Sequence, residues 1–195
     1  MVIAHHLVWT NYGTWLPNDP RGSGSRTIAA PLLHELGQLH YGRKKVQPSG
    51  REIREFYEQA EERLLFDVIC FDSNQIQIIA EALAGAIREF GYTCYTCALM
   101  PDHVHLVIRK HKHRAEQMID NLQASTRLRF GKTRAVGPDH PVWTLGGWKR
   151  FLDSPAKVRD VIQYVEKNPI VAGLPPQRWP FVVPYDNWPF HKRRT

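Results

Sequence analysis

The sequence has few cysteines and no second metal-binding motif built from them. Its three thiols, Cys70, Cys94 and Cys97, leave one unpaired in any intrachain disulfide scheme, which favours a reducing compartment. Cys94 and Cys97 form a C-x-x-C, but the stretch around them is typical of a strand, where residues three apart point to opposite faces. No other C-x-x-C completes a zinc site, so we expect buried thiols.

Long apolar runs are also absent. None approaches the roughly 20 residues that span a bilayer, and no basic amphipathic helix has the broad apolar face of a membrane-surface segment. The first residues lack the basic and apolar regions of a signal peptide. There is no internal repeat and no low-complexity tract. These absences favour a cytoplasmic protein with no membrane partner.

The charge balance is strongly basic. Lys and Arg number 26 against 19 Asp and Glu, for a net charge of +7 at pH 7. In a soluble chain this excess favours a polyanionic partner such as nucleic acid. The length of 195 residues is close to that of one domain.

The order of predicted elements indicates an α+β fold, an antiparallel β-sheet with helices packed on it. We expect strands at 2–10, 92–100 and 103–109, and helices at 51–66, 73–90, 114–130 and 155–168. Pro169 is expected to end the last helix, and 131–150 to be a loop. We assign 1–174 to one domain and 175–195 to a basic tail, rich in proline and aromatic residues, packed on it.

Two histidines share one face of the third strand. His103 and His105 alternate with Val104, so their backbones lie about 6 to 7 Å apart and their rings could converge on one cation. From the residues alone, half-exposed polar partners in a sheet are an equally good interpretation. His111 and His113 repeat the spacing in "RKHKHR", where flanking cations repel a metal and favour a solvated, phosphate-facing turn.

The last predicted helix carries a tyrosine beside its apolar stripe. At 100 degrees per residue, Lys157, Tyr164 and Asn168 fall on one flank of the helix. For an isolated tyrosine, the simpler interpretation is a boundary aromatic residue with its hydroxyl in water. Tyr92, Tyr95 and Tyr185 lack a comparable polar set.

Together, "MPDHVHLVI" and "VIQYVEKNPIVAGL" resemble the paired motifs of the HUH single-tyrosine transposases, which include insertion-sequence and REP-associated tyrosine transposases. The opening "HHLVWTNYGTWLPNDPRGS" is similar to their first strand and loop, and the resemblance spans most of the chain. It implies the ferredoxin-like HUH nuclease fold, a Mg²⁺ or Mn²⁺ ion on His103, His105 and Asn168, and Tyr164 as the DNA nucleophile.

The implied activity is transposition by cutting and rejoining single-stranded DNA at hairpin or repeat sequences, through a 5′-phosphotyrosine intermediate. Members of the family act as monomers or as dimers that exchange the tyrosine helix, so a homodimer is an open expectation. An imidazole pair by itself suits zinc, manganese or nickel better than magnesium.

A single-strand groove combines cations with stacking rings. The candidates for such contacts here are Trp15, Arg21, Arg26, Trp148, Lys149, Arg150 and Lys157. Each could instead be a surface charge or a core ring.

Two other functions stay open at this point. One is a zinc hydrolase that uses an activated water, and the other is a catalytically silent DNA-binding protein or autorepressor derived from a transposase.

Overall fold

The computed structural model describes residues 1–28, 31–133 and 135–190. The chain divides into two compact units, one formed by 1–10 with 70–195 and the other by 11–69. The proposed division at residue 174 stays a prediction, and 191–195 of the predicted tail lie outside the described residues.

The first unit is built on a four-stranded sheet in the order β2-β3-β1-β4, with every pair antiparallel. The strands are β1 (Ala4–Thr10), β2 (Cys94–Leu99), β3 (His103–Arg109) and β4 (Trp148–Leu152). With helices packed on this sheet, the predicted α+β class is confirmed. The predicted hairpin is also present, since β2 pairs with β3 across the turn at Pro101 and Asp102.

The edge strand β4 corrects the expectation of a loop over 131–150. Its sequence, WKRFL, mixes exposed rings and cations and lacks the apolar alternation typical of a half-buried strand. Only Leu152 is fully buried. The strand forms because its backbone pairs with β1, with Leu7 opposite Lys149. Such long-range pairing leaves no local pattern in the sequence.

The described residues form four α-helices at the four places predicted, although the first ends at Glu61, before the predicted residue 66. They are α1 (Gly50–Glu61), α2 (Ser73–Phe90), α3 (Ala115–Gly131) and α4 (Pro155–Val171), and a short 3₁₀ helix spans Pro31–Leu36. Asp72 caps α2 by accepting the Gln75 N–H at 2.8 Å, and Gly91 ends it in the left-handed conformation at φ 68°. Within the described ranges, no helix is both long and apolar enough to cross a membrane.

Helix α4 does not end at Pro169, as the sequence had suggested, but continues to Val171. Proline removes one N–H donor, yet the chain beyond it still donates to the final carbonyls: Ala172 N–H to Asn168 O at 3.1 Å and Leu174 N–H to Pro169 O at 2.8 Å. Pro169 is itself buried. The last turn therefore closes around the proline.

The apolar stripe of α4 fixes the rotation of that helix on the sheet. Val158, Val161 and Val165 are buried in one cluster with Ala98 of β2 and Val107 of β3. Full burial of a valine contributes about 1.5 kcal/mol or more to stability. With this stripe buried against the sheet, the flank of α4 that carries Tyr164 is exposed to solvent.

The second unit, 11–69, has a small core of its own around Leu16, Leu33 and Ala60. Its loops are held by polar contacts: Asp19, with a fully buried side chain, accepts from Arg21 at 2.6 Å and from Tyr57 at 2.5 Å. Gly22 has φ 90°, and a Cβ there would lie 1.9 Å from the Gly42 carbonyl oxygen. Only glycine fits that position.

Candidate active site

Three imidazoles line the face of the sheet that α4 covers. His103 and His105 come from β3, with ring centroids 4.9 Å apart. His6 comes from β1, and its ring stacks 5.2 Å from that of His105. The register places Val107 opposite His6, so His6 and His105 are diagonal neighbours on adjacent strands.

Sequence reasoning missed His6. The doublet at His5 and His6 was visible, but only the β1–β3 register shows which of the two lies beside β3's pair. His5 points to the opposite face, where its ring lies 5.4 Å from Phe151.

Each ring of the β3 pair is held through its Nδ1 atom. Asp102 Oδ1 lies 2.6 Å from His103 Nδ1, so the carboxylate accepts that N–H and the lone pair of His103 is on Nε2. His105 Nδ1 lies 3.0 Å from His6 Nε2. If His105 donates in that bond, its Nε2 also presents a lone pair.

The buried imidazoles are neutral at physiological pH. Burial, with a smaller effect of Arg150, lowers the pKa of His6 to about 4. Burial, followed by the charges of His103 and His6, lowers the pKa of His105 to about 3. Because a metal binds only an unprotonated imidazole, this environment keeps the rings available as ligands.

The structure brings Tyr164 to these rings across a large separation in sequence. Its ring centroid lies 5.8 Å from that of His105 and 6.1 Å from that of His6, edge-on in both cases. The residue is 54% exposed, so an outside molecule can reach its hydroxyl. An accessible hydroxyl beside imidazoles that could hold a cation is suited to attack on a phosphate.

The three other tyrosines considered from the sequence are less accessible than Tyr164. Tyr92 and Tyr95 are 6% and 3% exposed, and burial raises the pKa of both. Burial also raises the pKa of half-buried Tyr185, and its hydroxyl donates to the Trp188 carbonyl. Among the described residues, Tyr164 is the tyrosine whose ring meets those of His6 and His105.

The remaining polar residues of α4 have local partners. The Asn168 amide nitrogen donates to the Tyr164 carbonyl at 2.8 Å, which leaves its Oδ1 atom as the one that would reach a cation. Lys157 forms an ion pair with Asp153 at 2.8 Å, and both side chains are about half exposed. The roles of Asn168 as a ligand and of Lys157 in DNA contact stay predictions.

The three candidates of β4 divide between the two faces of the sheet. Trp148 lies on the imidazole face, with its ring 5.5 Å from that of His6. Arg150 pairs opposite His6 and is exposed on the same face. Lys149 lies on the other face and forms an ion pair with Glu116 of α3.

The three candidates of the first loop lie in the unit formed by 11–69. The Arg21 guanidinium stacks 3.8 Å from the centroid of the Trp15 ring, which is 40% exposed. The guanidinium carbon of Arg26 lies 5.0 Å from the centroid of the Tyr41 ring.

The two thiols of β2 are both buried, as expected. Burial raises the pKa of Cys94 to about 12 and that of Cys97 well above its ordinary value.

The donor set fits a divalent cation of borderline softness. Two imidazole nitrogens with an amide oxygen suit manganese or zinc, and magnesium prefers oxygen ligands. Across 1–28, 31–133 and 135–190, no three His, Cys, Asp or Glu side chains are grouped to hold a metal. A third ligand would therefore come from Asn168, from substrate or from water.

Comparisons with known proteins find distant structural likeness only. No protein-family model and no curated protein matches the chain. It is similar to the structure of a REP-associated tyrosine transposase bound to a REP hairpin, with 12% identity, coverage of 91% of this chain and 74% of that one, and a TM-score of 0.47. It is also similar to the crystal structure of a candidate transposase from Deinococcus radiodurans r1, with 11% identity, coverage of 86% of this chain and 91% of that one, and a TM-score of 0.38. Both neighbours are described as transposases, but likeness at this level identifies neither family nor activity.

Proposed function

We propose that the chain is a metal-dependent DNA strand transferase of the HUH single-tyrosine type, which cleaves and rejoins single-stranded DNA at hairpin or repeat sequences. The observation that carries the proposal is the position of Tyr164, exposed and edge-on to His105 at 5.8 Å. The resemblance of the two sequence motifs supports the same assignment.

In the proposed reaction, the Tyr164 hydroxyl oxygen attacks the phosphorus of a phosphodiester. The new bond joins that oxygen to phosphorus, and the bond from phosphorus to the 3′ oxygen breaks. The phenol loses its proton and the 3′ oxygen gains one. The products are a 5′-phosphotyrosine and a free 3′ hydroxyl, so a second strand end can reverse the step without ATP.

His103 and His105 would hold the cation through their Nε2 atoms, since Asp102 and His6 engage their Nδ1 atoms. A bound divalent cation would polarise the phosphate and stabilise the leaving 3′ oxygen. The donor set favours Mn²⁺, and Mg²⁺ remains the family's other expectation. His6 is not a ligand here but a positioning residue that accepts the Nδ1 proton of His105.

Trp148 and Arg150 would bind the strand beside the nucleophile. Both lie on the imidazole face at the exposed edge of the sheet, where a ring can stack on a base and a guanidinium can pair with a phosphate.

The test is formation of a covalent protein–DNA species that survives denaturation. The protein is incubated with labelled single-stranded hairpins and Mn²⁺, and the products are separated on a denaturing gel. We expect a slower-migrating species in the native chain that vanishes in Tyr164→Phe and in EDTA.

A matched control is Tyr12→Phe, which alters a tyrosine of the other unit and leaves the imidazole face intact. Strand cleavage that persists in Tyr164→Phe would contradict the proposal and favour a hydrolase with an activated water. Hairpin binding with no covalent species in any metal would favour a silent DNA-binding protein.

A further inference from the structure

The second histidine pair is part of an ordered hydrogen-bonded cluster. His111 and His113 are half-buried, with ring centroids 4.8 Å apart, and both rings meet Tyr92 edge-on. Phe90 stacks on Tyr92, with ring centroids 5.6 Å apart, and meets His113 edge-on at 6.2 Å. The sequence predicts a solvated turn here, but both rings are half-buried and hydrogen-bonded.

The hydrogen bonds assign a proton position to each ring. Asn121 Nδ2 donates to the Tyr92 hydroxyl at 2.9 Å, and that hydroxyl lies 2.9 Å from His113 Nδ1, to which it can donate its own proton. The backbone N–H of His113 in turn donates to His111 Nδ1 at 3.2 Å. The neutral His111 ring therefore has its proton on Nε2, and His113 has the same tautomer when Tyr92 donates to it.

This arrangement is the reverse of that at His103, where a carboxylate accepts from Nδ1 and leaves a lone pair for a metal. At the second pair, the tautomers described above leave Nε2 as the donor atom of each ring. Four cations flank them in the sequence: Arg109, Lys110, Lys112 and Arg114. Burial, then the charges of His113, Lys112 and Arg109, lower the pKa of His111, which reflects the positive field at the turn.

The turn also lies at the start of α3, whose first N–H groups favour a negative charge. Glu116, in the first turn of α3, is an acidic group close to the turn; Lys149 forms an ion pair with it, and the charge of Arg114 also acts on it. Among residues 1–28, 31–133 and 135–190, neither Lys110, Lys112 nor Arg114 has a carboxylate within ion-pair distance.

We propose that the turn 110–114 is a second phosphate-binding site, in which His111 and His113 donate through Nε2 to a backbone phosphate of bound DNA. Six residues of extended chain separate His105 from His111, or roughly 20 Å. The cluster packs on Asn121 of α3, so the site would bind a phosphate away from the point of cleavage. That the ligand is DNA rests on the proposed function. That the turn recognises phosphate is independent of that function.

The test measures binding without chemistry. Tyr164→Phe protein in EDTA is titrated into labelled single-stranded oligothymidylate, and fluorescence anisotropy gives the affinity over a series of salt concentrations. We expect His111→Ala/His113→Ala to lower the affinity by about tenfold to 100-fold, because it removes two hydrogen bonds to a charged group, each on the scale of tenfold. Lys112→Ala should reduce the slope of log K against log salt by about 0.7, the value for one contact with a single strand.

The matched control is His34→Ala/His40→Ala, which removes two exposed imidazoles of the other unit and should change the affinity by less than about twofold. A second variant, Tyr92→Phe, keeps the ring and removes the hydroxyl that orients His113. It should lower the affinity about threefold, and nitrogen-15 spectra should show the Nε2 proton of His113 partly moved to Nδ1.

Unchanged affinity in the double histidine variant would overturn the proposal, whether or not the native chain forms a covalent DNA species. Zinc or nickel binding that depends on His111 and His113, with DNA affinity unaffected by their loss, would also overturn it. A fall in affinity without any covalent species would support the phosphate site while the proposed function fails.

Discussion

At the scale of single residues, the imidazole face depends on partners that orient its rings. His103 is held by a carboxylate and His105 by a third imidazole, His6, from the neighbouring strand. Partners of this kind fix which ring nitrogen has the lone pair. The chemistry assigned to His105 therefore depends on a residue that is not expected to touch metal or DNA.

His6→Leu should weaken metal binding and slow formation of the covalent species about 10- to 100-fold, because His105 loses the acceptor of its Nδ1 proton. The measurement is the concentration of Mn²⁺ that gives half-maximal yield of the covalent species. His5→Leu is the control, since its ring points to the opposite face. Equal metal dependence in the two variants would contradict the role given to His6.

A second residue-scale prediction concerns Asp19. Burial alone would raise the pKa of this carboxyl, but hydrogen bonds from Arg21 and Tyr57 hold it below its ordinary value. Asp19→Asn should lower the free energy of unfolding by about 2 kcal/mol at pH 7, because it leaves the Arg21 charge without its partner. Glu55→Gln, in the exposed Arg51–Glu55 pair, should change it by less than about 0.5 kcal/mol.

The pH dependence of that difference has a definite sign. A carboxyl whose pKa is lowered by folding stabilises the protein fully at pH values above its ordinary pKa of 3.8. This contribution is lost as the pH falls from there through the folded-state pKa. Urea unfolding of the native chain and Asp19→Asn should therefore converge below about pH 4. A difference that grows on acidification would contradict the assignment.

At the scale of elements, β4 presents two cations to opposite faces of the sheet. Arg150 is exposed beside His6, while Lys149 is engaged by Glu116 on the α3 side. Arg150→Ala should weaken single-stranded DNA binding about three- to tenfold, and Lys149→Ala less than about twofold. The comparison uses anisotropy in EDTA. The opposite ranking would place DNA on the other face.

Helix α4 allows a similar comparison of stability. Val165 is fully buried and Val171 is 86% exposed, and both lie in the same helix. Val165→Ala should lower the free energy of unfolding by about 2 kcal/mol through lost burial and a small cavity, and Val171→Ala by less than about 0.5 kcal/mol. Urea denaturation measures both. Similar losses would mean that α4 does not pack through this stripe.

The elements also show what a sequence can predict. The class, the hairpin and the four helices follow from periodicity, caps and glycine stops, as at Asp72 and Gly91. Strand β4 could not be found this way, because its pairing with β1 is long-range and its residues are mostly exposed. The predicted end of α4 at Pro169 was wrong because Pro169 is buried within the helix and the following residues complete the last turn.

At the scale of the whole molecule, the site is a product of topology. The motifs around His105 and Tyr164 were visible in the sequence, but their distance in space was not. The order β2-β3-β1-β4 puts β1 beside β3 and so brings His6 to the pair, and α4 brings the phenol. Local patterns predict which side chains are suited to the chemistry. Only strand register and helix packing decide which of them meet.

The central claim is that the phenolic oxygen of Tyr164 becomes bonded to DNA. After incubation with a single-stranded hairpin and Mn²⁺, the protein is digested with nuclease and trypsin and examined by mass spectrometry. Cleavage after Arg159 and Lys167 releases the peptide 160–167, DVIQYVEK, which contains Tyr164 as its only tyrosine. We expect this peptide to carry a nucleotide phosphate on the tyrosine. An unmodified peptide alongside cleaved DNA, or a phosphate on another tyrosine, would contradict the claim.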